Sequence, residues 1–221
     1  MSKKISFRNV TKIFDGAEKT VALKSIDFEI SAGSIAALYG PSGSGKSTIL
    51  NIASGMDLPS SGQVYIGDDL ISELNASQLT LYRRENIGFI FQSYNLFPSL
   101  SAVENVEMIE LLNGKNPTEV RKKSIEALEK VGLKDRIHYF PNQLSGGQQQ
   151  RVAVARAIAS NPHILFADEP TANLDSQTAL SLIDLLFDLN QYHKTTILFS
   201  THDSNILTRV PNLIKIKDGA I

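Results

Sequence analysis

The segment Ile35-Ala36-Ala37-Leu38-Tyr39-Gly40-Pro41-Ser42-Gly43-Ser44-Gly45-Lys46-Ser47-Thr48 decides the fold class. Its first five residues form a short apolar run, which marks a strand buried on both faces. The next eight match G-x-x-x-x-G-K-[ST]. Three glycines allow the backbone to curl until successive N–H groups point inward at phosphate oxygens. A helix predicted over residues 47–54 and stopped by Gly55 brings the positive end of its dipole to the same place. In this geometry Lys46 reaches the β- and γ-phosphates, and the Ser47 hydroxyl holds Mg²⁺. The predicted nucleotide cradle is therefore Gly40, Pro41, Ser42, Gly43, Ser44, Gly45, Lys46, Ser47 and Thr48.

On the N-terminal side the pattern has a period of two. Ile5 and Phe7 alternate with polar neighbours, as do Ile26, Phe28 and Ile30 with Asp27 and Glu29. Half-buried antiparallel strands are expected between residues 4 and 30. On the C-terminal side, a loop at 59–62 precedes a short strand at 63–66. Two further apolar strands, within 164–167 and 195–200, run into Asp168-Glu169-Pro170 and Thr201-His202-Asp203. Amphipathic helices are predicted over 118–131, with Thr118 as N-cap, and over 176–190. Buried strands alternating with such helices give an α/β protein with a mainly parallel sheet. The stretch 93–143 is richer in helical pattern and reads as a helical insertion.

An apolar strand ending in Asp168-Glu169 sets two carboxylates at the C-terminal edge of the sheet, where ligands bind in open α/β folds. Neighbouring strand residues point to opposite faces, so the two take different roles. Asp168 is assigned to the metal and Glu169 to the attacking water. His202 closes another strand at the same edge, where it can contact a γ-phosphate or position water. His138, His163 and His193 read as ordinary structural or surface residues. A second anion-binding geometry follows in Leu144-Ser145-Gly146-Gly147-Gln148, which opens a helix over 149–159. One nucleotide has no evident need for two cradles on separate helices. Two arrangements fit: a site shared by both, each cradle touching the triphosphate from its own side, or closure of one domain on another within the chain.

Composition narrows the class. The chain has 221 residues, with Lys+Arg 22 against Asp+Glu 23 and a net charge of −1. That balance argues against non-specific nucleic-acid binding, which rests on a basic surface. Hydrophobic content of 42% and charged content of 20% are those of a globular protein. With no cysteine, disulfide scaffolds, Cys-ligated zinc and thiol catalysis are all excluded. No apolar run approaches the length of a bilayer span, and Met1–Arg8 lacks the apolar core of a secretory signal. A soluble intracellular chain is expected.

With these motifs in this order, the sequence resembles the ATP-binding-cassette (ABC) ATPases over essentially its whole length. In that resemblance Gly40 to Thr48 is the P-loop, Gln92 in Phe89-Ile90-Phe91-Gln92 the Q-loop and Leu144 to Gln148 the signature. Ile164 to Glu169 is the Walker B strand, Asn173-Leu174-Asp175 the D-loop and His202 the switch histidine. Phe14 matches the aromatic that stacks on adenine. The implied fold is a P-loop NTPase (RecA-like), a mainly parallel sheet core with an N-terminal antiparallel β subdomain and an inserted α-helical subdomain. One ABC ATPase domain would span 1–221, with 1–92 and 151–221 as catalytic core and 93–150 as helical signature subdomain.

The resemblance also implies ATP and Mg²⁺ as ligands, with Glu169, His202 and Lys46 catalytic. Phe14, the P-loop, Gln92, Ser145, Gly146, Gly147, Gln148 and Asp175 would contact ATP, and Ser47, Gln92 and Asp168 would serve the metal. A head-to-tail dimer would complete each site with the signature of the other copy. The finer likeness is to the macrolide-export and lipoprotein-release group, carried by Asn86 to Gln92, Asn95 to Val106 and Pro141 to Arg156. In such systems a separate permease carries the membrane spans. The ATPase then lies at the cytoplasmic face of the inner membrane, and an extracytoplasmic adaptor joins through the permease. Tyr94, Leu96 and Phe97 would help form the groove for the permease's coupling helix. Two other readings of the same engine are force transmission to cell-wall hydrolases and a soluble ATPase acting on nucleic acid or ribosomes. No long coiled coil separates the ATP motifs, there is no zinc module and only one cassette is present. No nucleic-acid partner is expected.

Overall fold

The computed structural model describes residues 2–16 and 18–221. It opens with β1 (Ile5–Phe14) and β2 (Thr20–Ile30), which pair antiparallel as the alternation predicts. The pairing is not continuous. Its register shifts between Phe7 and Ile13, and Asn9 and Ser25 both adopt left-handed backbone conformations. Such bulges twist a two-stranded ribbon so that it can wrap a core.

β3 (Ile35–Tyr39) leads into α1 (Lys46–Ala53), followed by β4 (Ser61–Ile66) and β5 (Asp69–Leu70). Next come α2 (Ala76–Asn86), β6 (Ile87–Ile90), α3 (Ala102–Leu112), α4 (Pro117–Lys130) and α5 (Gly146–Ile158). β7 (Ile164–Ala167), α6 (Ser176–His193), β8 (Thr196–Ser200), α7 (Ser204–Leu207) and β9 (Asn212–Lys215) complete the chain. Two sheets result. One is four-stranded in the order β2-β1-β4-β5, and its pairs are antiparallel. The other is five-stranded, β6-β7-β8-β3-β9, and wholly parallel.

The parallel sheet divides the core in two, which explains its unbroken apolar strands. On one face Ile35, Ala37, Leu165, Ala167, Ile197 and Phe199 pack with buried residues of α3 to α6. On the other, Ala36, Leu38, Ile164, Phe166 and Leu198 pack with α1 and the antiparallel sheet. Because the strands are parallel, β3, β6, β7 and β8 all end at one edge. Gly40, Gln92, Asp168 and His202 follow those ends.

Several element bounds differ from the sequence reading. Asn116, not Thr118, caps α4; its Oδ1 accepts from Thr118 N at 2.9 Å, and Pro117 takes the first helical position. Proline suits that position because its missing N–H would have no helical partner there. α5 starts at Gly146 rather than 149 and α6 continues to His193, whereas the strand before Asp168 spans 164–167 as read. Between residues 93 and 145 the chain carries two α-helices and two short 3₁₀ turns with no strand, a helical insertion as expected. α5 is continuous through residues 150 and 151. Among the described residues, no helix is long and apolar enough to cross a membrane.

Candidate functional site

The P-loop joins β3 to α1 and lines a cleft of about 540 Å³. Gly40, Pro41, Ser42, Gly43, Ser44, Gly45, Lys46, Ser47 and Thr48 line it together with Gln92, Glu169 and His202. Twelve of the predicted residues thus meet in one place. Gly40 is demanded by close approach: a Cβ there would stand 1.9 Å from the Ile216 carbonyl. Gly45 holds the N-cap of α1 at φ 109, a conformation side chains disfavour. The Lys46 ammonium curls back over the loop and donates to the carbonyls of Gly40 and Pro41 at 3.0 Å each. The buried Ser44 hydroxyl has no hydrogen-bond partner among the described residues.

Opposite the loop, the ends of β7 and β8 set the carboxylates. Ser47 Oγ donates to Asp168 Oδ1 at 3.1 Å. Ser200 Oγ donates to the same oxygen at 2.7 Å and accepts from the Glu169 N–H at 2.8 Å. Ser200 is wholly buried, and sequence reasoning gave it no role although it stands two residues before His202. Its bonds run to the end of the neighbouring strand β7, a pairing that local pattern does not carry. Glu169 lies beyond the strand in a left-handed conformation (φ 44), strained for a residue with a Cβ. That backbone turns its carboxylate toward His202, whose Nδ1 stands 2.9 Å from Glu169 Oε2. The imidazole is open to solvent while the carboxylate is mostly shielded.

The remaining predicted residues lie outside the lining of this cleft. Phe14 ends β1 with its ring half-exposed and the Lys12 ammonium 4.9 Å from its centroid. Ser145 caps α5: its Oγ accepts from Gln148 N at 3.3 Å, and Gln148 Oε1 accepts from Ser145 N at 2.9 Å. Gly146 and Gly147 form the first turn of that helix. Asp175 caps α6, accepting from Gln177 N and Thr178 N and from the Thr178 hydroxyl. Those bonds hold its carboxyl below the usual range.

A second depression, about 410 Å³, lies between the β6 end of the parallel sheet and the helical insertion. Met56, Phe89, Phe91, Phe97, Val106 and Ile109 give it an apolar lining. Of the three aromatic and aliphatic residues expected there, Phe97 lines it. Leu96 instead packs on the helical core, and the Tyr94 hydroxyl reaches to within 3.2 Å of where a Gly146 Cβ would be. Tyr94 and its neighbour Asn95 are two successive residues in the left-handed region.

Known proteins share the fold and a large part of the sequence. The profile of the ABC transporter family matches residues 23–172. The lipoprotein-releasing system ATP-binding protein LolD of Idiomarina loihiensis is 42% identical over 207 residues, 94% of this chain and 91% of LolD. The ATP-binding cassette MJ0796 of Methanocaldococcus jannaschii, solved as a dimer in a post-hydrolysis state with ADP and Pi, superposes with a TM-score of 0.92. Its identity is 43%, with 98% of this chain and 96% of that one covered. CbiO1 of Clostridium perfringens, part of the ABC transporter complex cbiONQ, gives 0.88 at 30% identity, covering 100% and 87%. With a P-loop cleft on this fold and a family profile that matches residues 23–172, the chain belongs to the ABC transporter family and is an ATP-binding, ATP-hydrolysing cassette.

Proposed function

We propose that this ATPase is the motor subunit of a membrane ABC system of the macrolide-export or lipoprotein-release type. Two copies close head to tail on ATP, and their closure moves a separate permease. The observation that carries this reading is the division of the motifs. The P-loop, Gln92, Glu169 and His202 line one cleft, while Ser145 to Gln148 stand at the start of α5 outside it. A second copy can supply what the cleft lacks, and a ligand gripped by both favours the closed state by its differential affinity. The dimer of MJ0796 is the parallel among its relatives. For the permease, the apolar groove beside Phe97 offers a docking surface, and cbiO1 gives a relative from a transporter complex. The assembly sits at the cytoplasmic face of the inner membrane.

The residue roles in this proposal are as follows. P-loop N–H groups and the Ser44 hydroxyl bind phosphate oxygens, and Lys46 exchanges its two carbonyl partners for them. Phe14 stacks on the base, and Asp175 stiffens the entry to α6 next to the partner's site. The Ser47 hydroxyl and the Asp168 carboxylate form a hard-oxygen pair suited to Mg²⁺, with Gln92 completing it. Magnesium, when bound, neutralises charge on the β- and γ-phosphates. Glu169 accepts the proton of the attacking water, and His202 holds that carboxylate in place. Residues 1–92 and 151–221 act as the catalytic core and 93–150 as the signature-bearing part. Because α5 is continuous across that boundary, its start and its sheet-packed half move together.

The test is affinity purification of tagged Glu169→Gln protein with ATP and Mg²⁺ from gently solubilised native membranes. A permease in fixed stoichiometry supports the reading, and any extracytoplasmic protein retained with it identifies an adaptor. Recovery of ribosomes or nucleic acid with no membrane protein refutes it.

A further inference from the structure

Arg156 lies in the C-terminal half of α5, far along the helix from the glycines that open it. Its side chain is 8% exposed, and burial draws its pKa down from the ordinary arginine value. It forms no ion pair among the described residues. Instead, two different nitrogens of the guanidinium donate to two successive backbone carbonyls. One bond runs to Asn95 O at 2.6 Å, the other to Tyr94 O at 2.7 Å. A buried cation held only by carbonyl dipoles is expensive, and it persists where the geometry of a planar fork is matched.

Those carbonyls belong to the most unusual backbone in the chain. Tyr94 and Asn95 take φ values of 59 and 50, the only neighbouring pair of non-glycine residues in the left-handed region among the described residues. Asparagine tolerates that region and tyrosine does so poorly, so the pair needs an external hold. The hold comes from α5 at both ends. Arg156 grips the Tyr94 carbonyl, and the Tyr94 hydroxyl lies against Gly146 at the start of the same helix. Just upstream, the Gln92 carbonyl accepts from Asn173 Nδ2 at 3.2 Å. The stretch that follows Gln92 is thereby fastened to the helix that presents Ser145 to Gln148.

We propose that Arg156 is a positioning residue for ATP hydrolysis, clamping Tyr94 and Asn95 to α5 so that Gln92 and the signature move as one body. The proposal rests on the roles given above to Gln92 and the signature. It also ties the groove to the site, since Arg156 and Asn95 both line the depression beside Phe97. An element pressed into that groove bears directly on the clamp.

The absence of native cysteine makes a distance test direct. Cysteines placed at the exposed residues Ser93 and Asn142 carry spin labels on the stretch after Gln92 and on the short turn that leads into α5. In the full chain a single narrow distance distribution is expected. Arg156→Met keeps bulk and removes the donors; Arg156→Lys keeps the charge without the fork. The methionine variant should at least double the width of the distribution and lower kcat tenfold or more, with the Kd for ATP within twofold of the parent. The lysine variant should fall between, and it carries the same test if the methionine variant does not fold. A width unchanged while kcat falls would make Arg156 merely structural and overturn the proposal. A kcat within twofold of the parent would also overturn it. Gln92→Ala, measured alongside, separates the underlying reading: unchanged turnover there removes the role of Gln92, whereas an unchanged width in Arg156→Met removes the clamp.

Discussion

Replacing Ser200 by alanine tests the site at its least conspicuous point. The hydroxyl is fully buried, donates to Asp168 Oδ1 at 2.7 Å and accepts from Glu169 N at 2.8 Å. Its loss orphans the Glu169 N–H, at a cost of about 1–3 kcal/mol, and removes a bond to a charged acceptor worth roughly 1.5–3 kcal/mol. Asp168 retains Ser47 as a donor, so the two costs do not add in full. A net loss of about 3 kcal/mol follows. In a domain of this size that corresponds to a fall in Tm of about 6–12 °C. The kinetic effect is separate. Glu169 is held at φ 44, a conformation costing on the order of 1–3 kcal/mol, and Ser200 supplies its tether. Released, the carboxylate drifts from His202, and a shift of about 1.4 kcal/mol lowers turnover tenfold. ATP affinity should change less than threefold, because the P-loop is untouched. Differential scanning calorimetry and steady-state ATP hydrolysis measure both arms. A Tm within 2 °C of the parent together with unchanged kcat would refute the tether.

Other perturbations reach the remaining parts of the site. Gly40→Ala drives a Cβ into the Ile216 carbonyl and should weaken ATP binding more than tenfold, read by fluorescent nucleotide titration. Ser145→Arg should leave ATP binding by the single subunit within twofold but abolish ATP-induced dimers of the Glu169→Gln background in light scattering. Normal dimers would sink the shared-site arrangement. Glu169→Gln itself should keep nucleotide affinity and lose a hundredfold or more of turnover. Asp175 is bonded by the Thr178 hydroxyl and by helix N–H groups, which depress its pKa. The stability it lends is therefore present above the ordinary carboxylate pKa and is lost as pH falls through the lower folded value. Thermal midpoints of wild type and Asp175→Ala should separate at pH 7 and draw together as the pH falls below the depressed folded value.

What the sequence disclosed, and what it hid, follows from the range of each interaction. The parallel core was legible because strands covered on both faces write themselves as apolar runs. The P-loop was legible because its chemistry is contained in eight adjacent residues. α2 escaped notice for the opposite reason: apart from Leu79 and Asn86 its residues are not buried, so it lacks an apolar stripe, and an Asn75–Gln78 capping box starts it instead. β9 is an edge strand with no wholly buried side chain and little alternation. α3 was knowable from Ser101 and Glu104, whose side chain accepts from the Ser101 N–H and hydroxyl, a capping box that precedes an apolar run. Arg156 and Ser200 could not be read from local pattern. Their partners lie 61 and 62 residues away for the arginine, and 31 and 32 for the serine.

The carboxylate pair shows how an expected geometry can rest on a different cause. Alternation along a strand predicts that Asp168 and Glu169 face opposite ways, and they do separate, one toward Ser47 and the other toward His202. Yet the strand has already ended at Ala167. The division comes with a left-handed turn at Glu169, whose N–H is held by one buried hydroxyl on the neighbouring strand. The difference has consequences. A pleat holds its side chains through the whole ladder of backbone bonds and resists any single substitution. A tethered turn depends on one residue. If the pleat were responsible, Ser200→Ala would cost stability and spare catalysis. Because the turn is responsible, stability and catalysis must fall together, and the ratio of the two losses measures how much of the Glu169 geometry Ser200 maintains.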